Sequence, residues 1–312
     1  MGVTAPFRMY HGPEKNRPNA VKIDGNRIKL PRVGWVKMRE ALRFDGRVLS
    51  VVVSRQADRW YASVAVEFEH EVPERQDNAI AGCDLGIRVF ATMFDGRDFR
   101  KDLAPKPLRW LLGRVRKLSR SLSRKTRGSR NQAKAKTKLA RLNAHIADAR
   151  LDALHRVTTS LVRDYRIIGI EDLNVAGMLA NRHLARAVGD IGFGEFRRQL
   201  GYKSAMYGST VIAVDRWFPS SKLCSSCGWI NEALQLGISH WSCSACGIEH
   251  DRDENAARNL YSAASSAVAA CGAGGAGSVD FDRVKPLAEK QEGLPVQTGT
   301  VRRSRFPEIS NA

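Results

Sequence analysis

A chain of 312 residues is long enough for two or three small domains with a proper core. Its 51 Lys and Arg stand against 32 Asp and Glu, and the resulting net charge of +19 attracts a polyanion. No apolar run approaches the length of a membrane span, so nucleic acid rather than a bilayer is the expected partner.

Residues 1–19 are polar and proline-rich and are expected to be disordered. Residues 20–76 read as strands and turns. Apolar residues alternate in Val48–Val53 and Trp60–Phe68, and Asp24-Gly25 and Asp45-Gly46 are hairpin turns. A small β-rich module is predicted. A new pattern starts near Ala79. Ile80-Ala81-Gly82-Cys83-Asp84 is a short apolar strand ending in a carboxylate, Val89–Met93 is its partner, and Asp95-Gly96 turns toward a third strand.

From Lys106 to Arg141 the chain carries fourteen basic residues and no acidic one. Leu111, Val115, Leu118 and Leu122 recur at helical spacing, which leaves the opposite face cationic. Gly128-Ser129 interrupts the run, and a second helix starts near Asn131 with Leu139, Leu142, Ile146, Leu151, Leu154 and Val157 as its apolar face. A helical hairpin over 106–160 is predicted. One that is merely solvated would mix Glu with Lys. Arg114, Arg116, Lys117, Arg120, Arg124, Lys125, Arg127 and Arg130 are therefore expected to meet nucleic-acid phosphate.

Tyr165–Leu173 is another buried strand, and it ends in Glu171-Asp172. A helix around Glu195–Tyr207 leads to a strand at Thr210–Val214. Cys224, Cys227, Cys243 and Cys246 then form C-x2-C-x15-C-x2-C, with Gly228 and Gly247 where tight knuckles need a permissive backbone. Two such knuckles aim four thiolates at one point, the tetrahedral set that Zn2+ prefers, so a zinc ribbon is predicted over 221–250. No secretory leader is visible, which argues against disulfides. Cys83 and Cys271 read as ordinary thiols. After the ribbon, His250-Asp251-Arg252-Asp253-Glu254-Asn255-Ala256-Ala257 places acids at a helix start. Residues 266–312, rich in Ala, Gly and Ser and then polar, are expected to be mostly disordered.

Asp84, Glu171 and Asp253 thus stand at strand ends or at a helix start. A single such acid is an ordinary turn or cap residue. Three in one basic protein form a candidate site for Mg2+ or Mn2+, since phosphodiester hydrolysis uses paired divalent ions held by carboxylates.

Three segments resemble the RuvC motifs of the TnpB (OrfB) family: Gly82-Cys83-Asp84-Leu85-Gly86-Ile87, Ile170-Glu171-Asp172-Leu173-Asn174 and Asp251–Leu260. The four-cysteine ribbon lies between the second and third, as it does in that family, and the resemblance covers about residues 20–265. It implies an α/β, RNase H-like (RuvC) fold, a mixed five-stranded sheet flanked by helices with an inserted zinc ribbon. Asp84 would lie on the first strand, Glu171 on the fourth, and Asp253 at the start of the last helix, with Asp251 a helix-start neighbour. A nuclease domain over 77–265 would follow a partial wedge-like module at 20–76 that grips guide RNA.

The resemblance also implies an RNA-guided, divalent-metal-dependent DNA endonuclease of an insertion sequence, related to type V CRISPR effectors. Its partners would be a guide RNA from the transposon end and a DNA target, and its place a prokaryotic cytoplasm, at the nucleoid when bound. Family members usually carry more chain before the wedge strands, so an N-terminal truncation is expected. A non-cleaving remnant or guided repressor, and a transposase performing strand transfer, are the alternative readings.

Overall fold

The alternating run predicted near Val48–Val53 becomes the longest strand of the structure, a computed structural model describing residues 7–10, 21–75, 77–103, 106–235, 237–272 and 284–286. The chain divides into two units. One comprises described residues up to 71 together with 111–147, and the other 72–110 and those from 148 onward.

The first unit holds β1 (Phe7–Tyr10), β2 (Lys22–Asp24), β3 (Arg27–Leu30), β4 (Gly34–Lys37), β5 (Arg47–Gln56) and β6 (Arg59–Glu67). They form two three-stranded sheets, β1-β5-β6 and β2-β3-β4. Ile28, Leu30, Val51, Val64 and Val66 point into one shared core. Residues 1–19 were expected to be disordered. Within them Phe7–Tyr10 pair antiparallel with β5, because the edge of β5 offers unpaired backbone groups to an extended segment. The remainder of 1–19 lies outside the described residues.

The second unit contains β7 (Ile80–Leu85), β8 (Val89–Phe94) and β9 (Phe99–Leu103). Two helices follow, α1 (Pro107–Ser123) and α2 (Arg130–Asp164), each with residues in both units. Next come β10 (Ile167–Glu171), α3 (Val175–Ala180), α4 (Ala185–Ile191), α5 (Phe193–Tyr207) and β11 (Thr210–Val214). The ribbon strands β12 (His240–Ser242) and β13 (Glu249–Asp251), the helix α6 (Arg252–Gly272) and β14 (Val284–Pro286) complete it.

The main sheet runs β14-β11-β10-β7-β8-β9. β7, β10 and β11 are parallel, β8 pairs antiparallel with β7, and β9 pairs antiparallel with β8. This is the expected mixed sheet, with Asp84 on its first strand and Glu171 on its fourth, extended by the edge strand β14. The 266–312 tail departs from the disorder expected of it at two places. Helix α6 runs on to Gly272, where alanine-rich sequence favours helix and Ala264 and Ala267 pack on Ile167 and Ile212. Val284–Pro286 pair with β11. The remainder of the tail and the side chain of Cys271 lie outside the described residues.

Period-two alternation gives the sheet two different faces. Cys83, Ile168, Ile170 and Val211 belong to the large core, with Leu154, Leu161, Ile191, Phe193, Phe196 and Leu200 from the helices. Ile80, Ile167 and Ile212 point the other way, toward α6. Cys83 is buried in the first of these cores, and burial holds its thiol protonated.

Two helices form with the predicted break between them. Ser129 caps α2 by accepting the Gln132 N–H at 3.1 Å, and Gln132 Oε1 accepts the Gly128 N–H at 2.8 Å. Leu142, Ile146 and Leu154 are buried as expected. Leu151 is exposed instead, because the 3.6-residue period carries it past the stripe.

Buried Asp190 anchors the start of α1. Its carboxylate accepts the Leu108 and Arg109 N–H groups at 3.1 and 3.0 Å and the Arg150 guanidinium at 3.2 Å. Asp190→Ala should cost about 3–5 kcal/mol, since it removes a cap and leaves the cation of a buried pair without its anion. Urea unfolding monitored by circular dichroism checks this.

Candidate active site and metal centre

Two glycines build the site. Gly82 of β7 and Gly169 of β10 are direct neighbours in the parallel pair. A Cβ on Gly82 would run into the Ala257 carbonyl and the Tyr261 N–H, and one on Gly169 would lie 2.7 Å from the Leu260 carbonyl. Helix α6 therefore rests directly on the sheet at this point. Two residues further along each strand, on the same face, stand Asp84 and Glu171. The first turn of α6 carries Asp253 to them, near enough that its charge and that of Glu171 act on Asp84.

Burial first, then repulsion from Glu171 and Asp253, pushes the Asp84 carboxyl well above the usual carboxylate range. Burial also raises Glu171, against a hydrogen bond donated by the Ser220 hydroxyl and the nearby charge of Arg252. Crowded carboxylates of this kind are a donor set for a hard cation, which would relieve their repulsion.

The register extends the row across the sheet. Asp84 pairs with Thr92, and Thr92 with Lys101. Lys101 Nζ reaches Glu254 at 2.8 Å and Asp251 at 3.8 Å, so the far end of the row holds the first turn of α6. Asp251 is the cap of that turn, its Oδ1 accepting the Asp253 and Glu254 N–H groups at 3.0 Å each. Asp172, beside Glu171, is bound by Arg197 and by Arg216. Burial raises its carboxyl, but these guanidiniums outweigh the effect and hold it below the ordinary value. Of the two adjacent acids, Glu171 faces Asp84 and Asp172 is tied up by arginines.

The ribbon also converges. The ligating atoms of Cys224, Cys227, Cys243 and Cys246 all lie within 4.8 Å of one another. Among the described residues no other group of three such side chains is drawn that tight, the three acids included. Cys224–Cys246 and Cys227–Cys243 are separated by 3.7 and 3.6 Å, and none of the four is in a disulfide. A tetrahedral ion with bonds of about 2.3 Å to sulfur requires edges of about 3.8 Å, so the cluster fits a metal ion. Gly228 and Gly247 adopt φ of +79° and +75°, as the knuckles need.

Several residues that join ribbon to acids were not legible from motif spacing. Asn255 and Asn259 of α6 are buried, and both donate to the Leu223 carbonyl at 2.7 Å; Asn259 also binds the Ser220 carbonyl at 2.7 Å. Asn255 Oδ1 accepts the Ser225 N–H at 3.0 Å. His250 Nε2 lies 3.1 Å from Cys224 Sγ, one residue before the Asp251 cap. Asparagine on the apolar side of a helix beside a cysteine knuckle was the available signal, because buried amides need partners.

The eight predicted phosphate-binding cations are on the surface. Arg114, Arg116, Lys117 and Arg120 lie on α1, Arg124, Lys125 and Arg127 in the connection, and Arg130 opens α2. All eight are exposed, and among the described residues none has an acidic partner. Leu111, Val115, Leu118 and Leu122 on the other face are partly covered. Among the described residues no helix is long and apolar enough to cross a membrane.

The OrfB_IS605 family, described as a probable transposase, matches residues 63–182, and the family described as Cas12f1-like, TNB domain, matches residues 193–260. The first segment contains Asp84 and Glu171, and the second the four cysteines and Asp253. A Streptomyces pristinaespiralis protein named "Putative RNA-guided DNA endonuclease" is 43% identical over 244 residues, 78% of this chain and 59% of that protein. A protein of the same name with the suffix InsQ, from Escherichia coli (strain K12), is 36% identical over 272 residues, 82% of this chain and 66% of that protein. The chain thus spans about three fifths to two thirds of these relatives. The cryo-EM structure of a Cas12f1-sgRNA-target DNA complex shares the fold, with a TM-score of 0.50 at 16% identity, over 69% of this chain and 45% of that one.

Proposed function

Since the chain belongs to the TnpB (OrfB) family, we propose that it acts as an RNA-guided DNA endonuclease of an insertion sequence, using Mg2+ or Mn2+ at Asp84, Glu171 and Asp253 and a structural Zn2+ at the four cysteines. The observation that carries the reading is the placing of Asp84 and Glu171 at the ends of adjacent parallel strands, with Asp253 brought to them by a helix seated on two glycines.

Divalent cations bound there would neutralise charge on the attacked phosphate and make water a better nucleophile at neutral pH. The chain's own groups do the rest. The three carboxylates would hold the cations, and Ser220 fixes the orientation of Glu171 by donating to it. Lys101 and the Asp251 cap hold Asp253 in register, and the charge of Arg252 tempers the repulsion among the acids. No covalent protein intermediate is required. On this reading the β-rich segment 20–76 grips the guide.

The test is to express the chain with its transposon-end RNA, sequence the RNA that co-purifies, and assay cleavage of matched DNA with Mg2+, Mn2+ or no added metal. Guide-dependent cutting that needs the metal is the expected result. Binding without cutting would favour the non-cleaving repressor, and joining of DNA ends would favour strand transfer. All three acids are present, which favours the nuclease.

The basic helix has its own expected outcome. Replacing Arg114, Arg116, Lys117 and Arg120 by Gln should weaken nucleic-acid binding. It should also reduce the log–log salt slope by about 0.7–0.9 for each phosphate that is no longer neutralised. A salt titration of binding, parent against variant, checks it.

A further inference from the structure

Beside the acid row a cleft of about 250 Å³ opens between two short segments, lined by Glu171, Asp172, Leu173, Asn174, Arg216 and Trp217. The segments follow the ends of the neighbouring parallel strands β10 and β11, the edge where open α/β sheets bind ligands. Trp217 is 82% exposed, the most exposed large apolar side chain among the described residues. An indole in that position gains nothing from the protein core. Its backbone is nonetheless held, with the Trp217 N–H donating to Asp215 Oδ1 at 2.8 Å and the Phe218 N–H to the Asp215 carbonyl at 3.0 Å. Next to it the Arg216 guanidinium is steadied by Asp172 at 3.1 Å. The cleft therefore offers a flat aromatic face, a fixed cation and, at its inner wall, one of the proposed metal-binding acids.

We propose that this cleft is a stacking subsite for one unpaired DNA base next to the phosphate being cut, with the Trp217 indole as platform and Arg216 toward the strand's backbone. The inference deepens the nuclease reading and rests on it. Charge complementarity commits the occupant, since the chain carries +19 and the occupant must bring a phosphate within reach of Glu171. A base-paired nucleotide hides both faces in its own stack, so the open indole suits a single strand. Base–aromatic stacking is indifferent to sequence, as suits an enzyme whose sequence choice lies with a guide.

The test measures binding by the full chain, without added divalent metal, of two probes of equal charge: an oligo-dT of about twenty nucleotides and an oligomer of abasic nucleotides. Trp217→Ala and Trp217→Leu should each weaken oligo-dT binding about tenfold, within the range for one stacked base. Both should leave the abasic probe within about twofold and the salt slope unmoved. Trp217→Phe, which keeps an aromatic face, should recover most of the loss. Thermal melting should match the parent in all three, because the side chain is outside the core. Equal loss on both probes, or no loss on oligo-dT in a chain that still cleaves guided targets, would overturn the subsite and leave the nuclease reading standing. A parent that binds neither probe and never cleaves would overturn both.

Discussion

Asp253→Ala should lower guided DNA cleavage by about 10³-fold or more, while Asp251→Ala should keep the rate within about tenfold of the parent. The two acids are two residues apart, but their surroundings differ. Asp253 acts electrostatically on Asp84, and losing it would remove oxygen ligands from the proposed cation site, worth several kcal/mol in the transition state. Asp251 spends its carboxylate on the N–H groups of Asp253 and Glu254, a cap worth about 1 kcal/mol. Its loss should appear mainly as a lower melting temperature, and Asp251→Asn should restore it. Asp84→Ala and Glu171→Ala should match Asp253→Ala, and double variants should fall little further, because the ligands act as a unit. Single-turnover cleavage by the parent and these variants decides it, and a dead Asp251→Ala beside an active Asp253→Ala would shift the assignment by two residues.

The same site predicts a pH effect with a definite sign. The folded chain raises the Asp84 carboxyl above its ordinary value of 3.8, so the fold retains a proton that the unfolded chain releases. The stability this contributes is complete below about pH 4 and is lost as pH rises through the folded value. Metal-free Asp84→Asn, which cannot ionise, should therefore melt higher than the parent at neutral pH. Adding Mg2+ should raise the melting temperature of the parent and leave that of Asp84→Asn nearly unchanged. Calorimetry with and without metal checks both.

Emptying the zinc site proposed at the cysteine cluster should lower cleavage at least about a hundredfold even with Mg2+ in excess. Structural zinc in small sites contributes about 10–16 kcal/mol of folding free energy, so Cys243→Ser should empty and unfold the ribbon. The damage should then travel into the acid site through the segment entering the first knuckle. That segment carries Ser220, which donates to Glu171, and its Ser220 and Leu223 carbonyls hold Asn255 and Asn259 of α6. The main core, built on Phe90, Phe196, Ile168 and Leu161, does not involve the ribbon. The variant should keep most of its helical circular dichroism, bind no zinc by metal analysis, and cut at under about one hundredth of the parent rate. Parent-like cleavage by a chain shown to hold no zinc would refute the coupling.

Much of this site was legible before any coordinates. Spacing alone brings the four cysteines together, because each C-x-x-C knuckle is a local structure and the metal's tetrahedral demand supplies the rest. Asp84 and Glu171 were marked by apolar strands that end abruptly in acids. The glycine two positions ahead of each was equally visible, but its meaning was not. Only the parallel register shows that Gly82 and Gly169 are neighbours, and only the seated helix shows why neither tolerates a Cβ. The cationic stretch 106–141 could be read from the absence of a single acid, a property of composition that needs no partner.

What the sequence by itself determined was local: the alternation of strands, the knuckles, the charged helix face and the chemical type of each candidate ligand. These follow from backbone periodicity and from residue chemistry within a few positions. The tertiary structure decided which acids stand together. Glu171, two residues past Gly169, faces Asp84, while the adjacent Asp172 is taken up by Arg197 and Arg216 from 25 and 44 residues further along the chain. Lys101, Ser220, Asn255 and His250 acquired their roles in the same way, through contacts between segments far apart in the chain. Such contacts depend on how whole strands and helices pack, and no local rule of sequence encodes that.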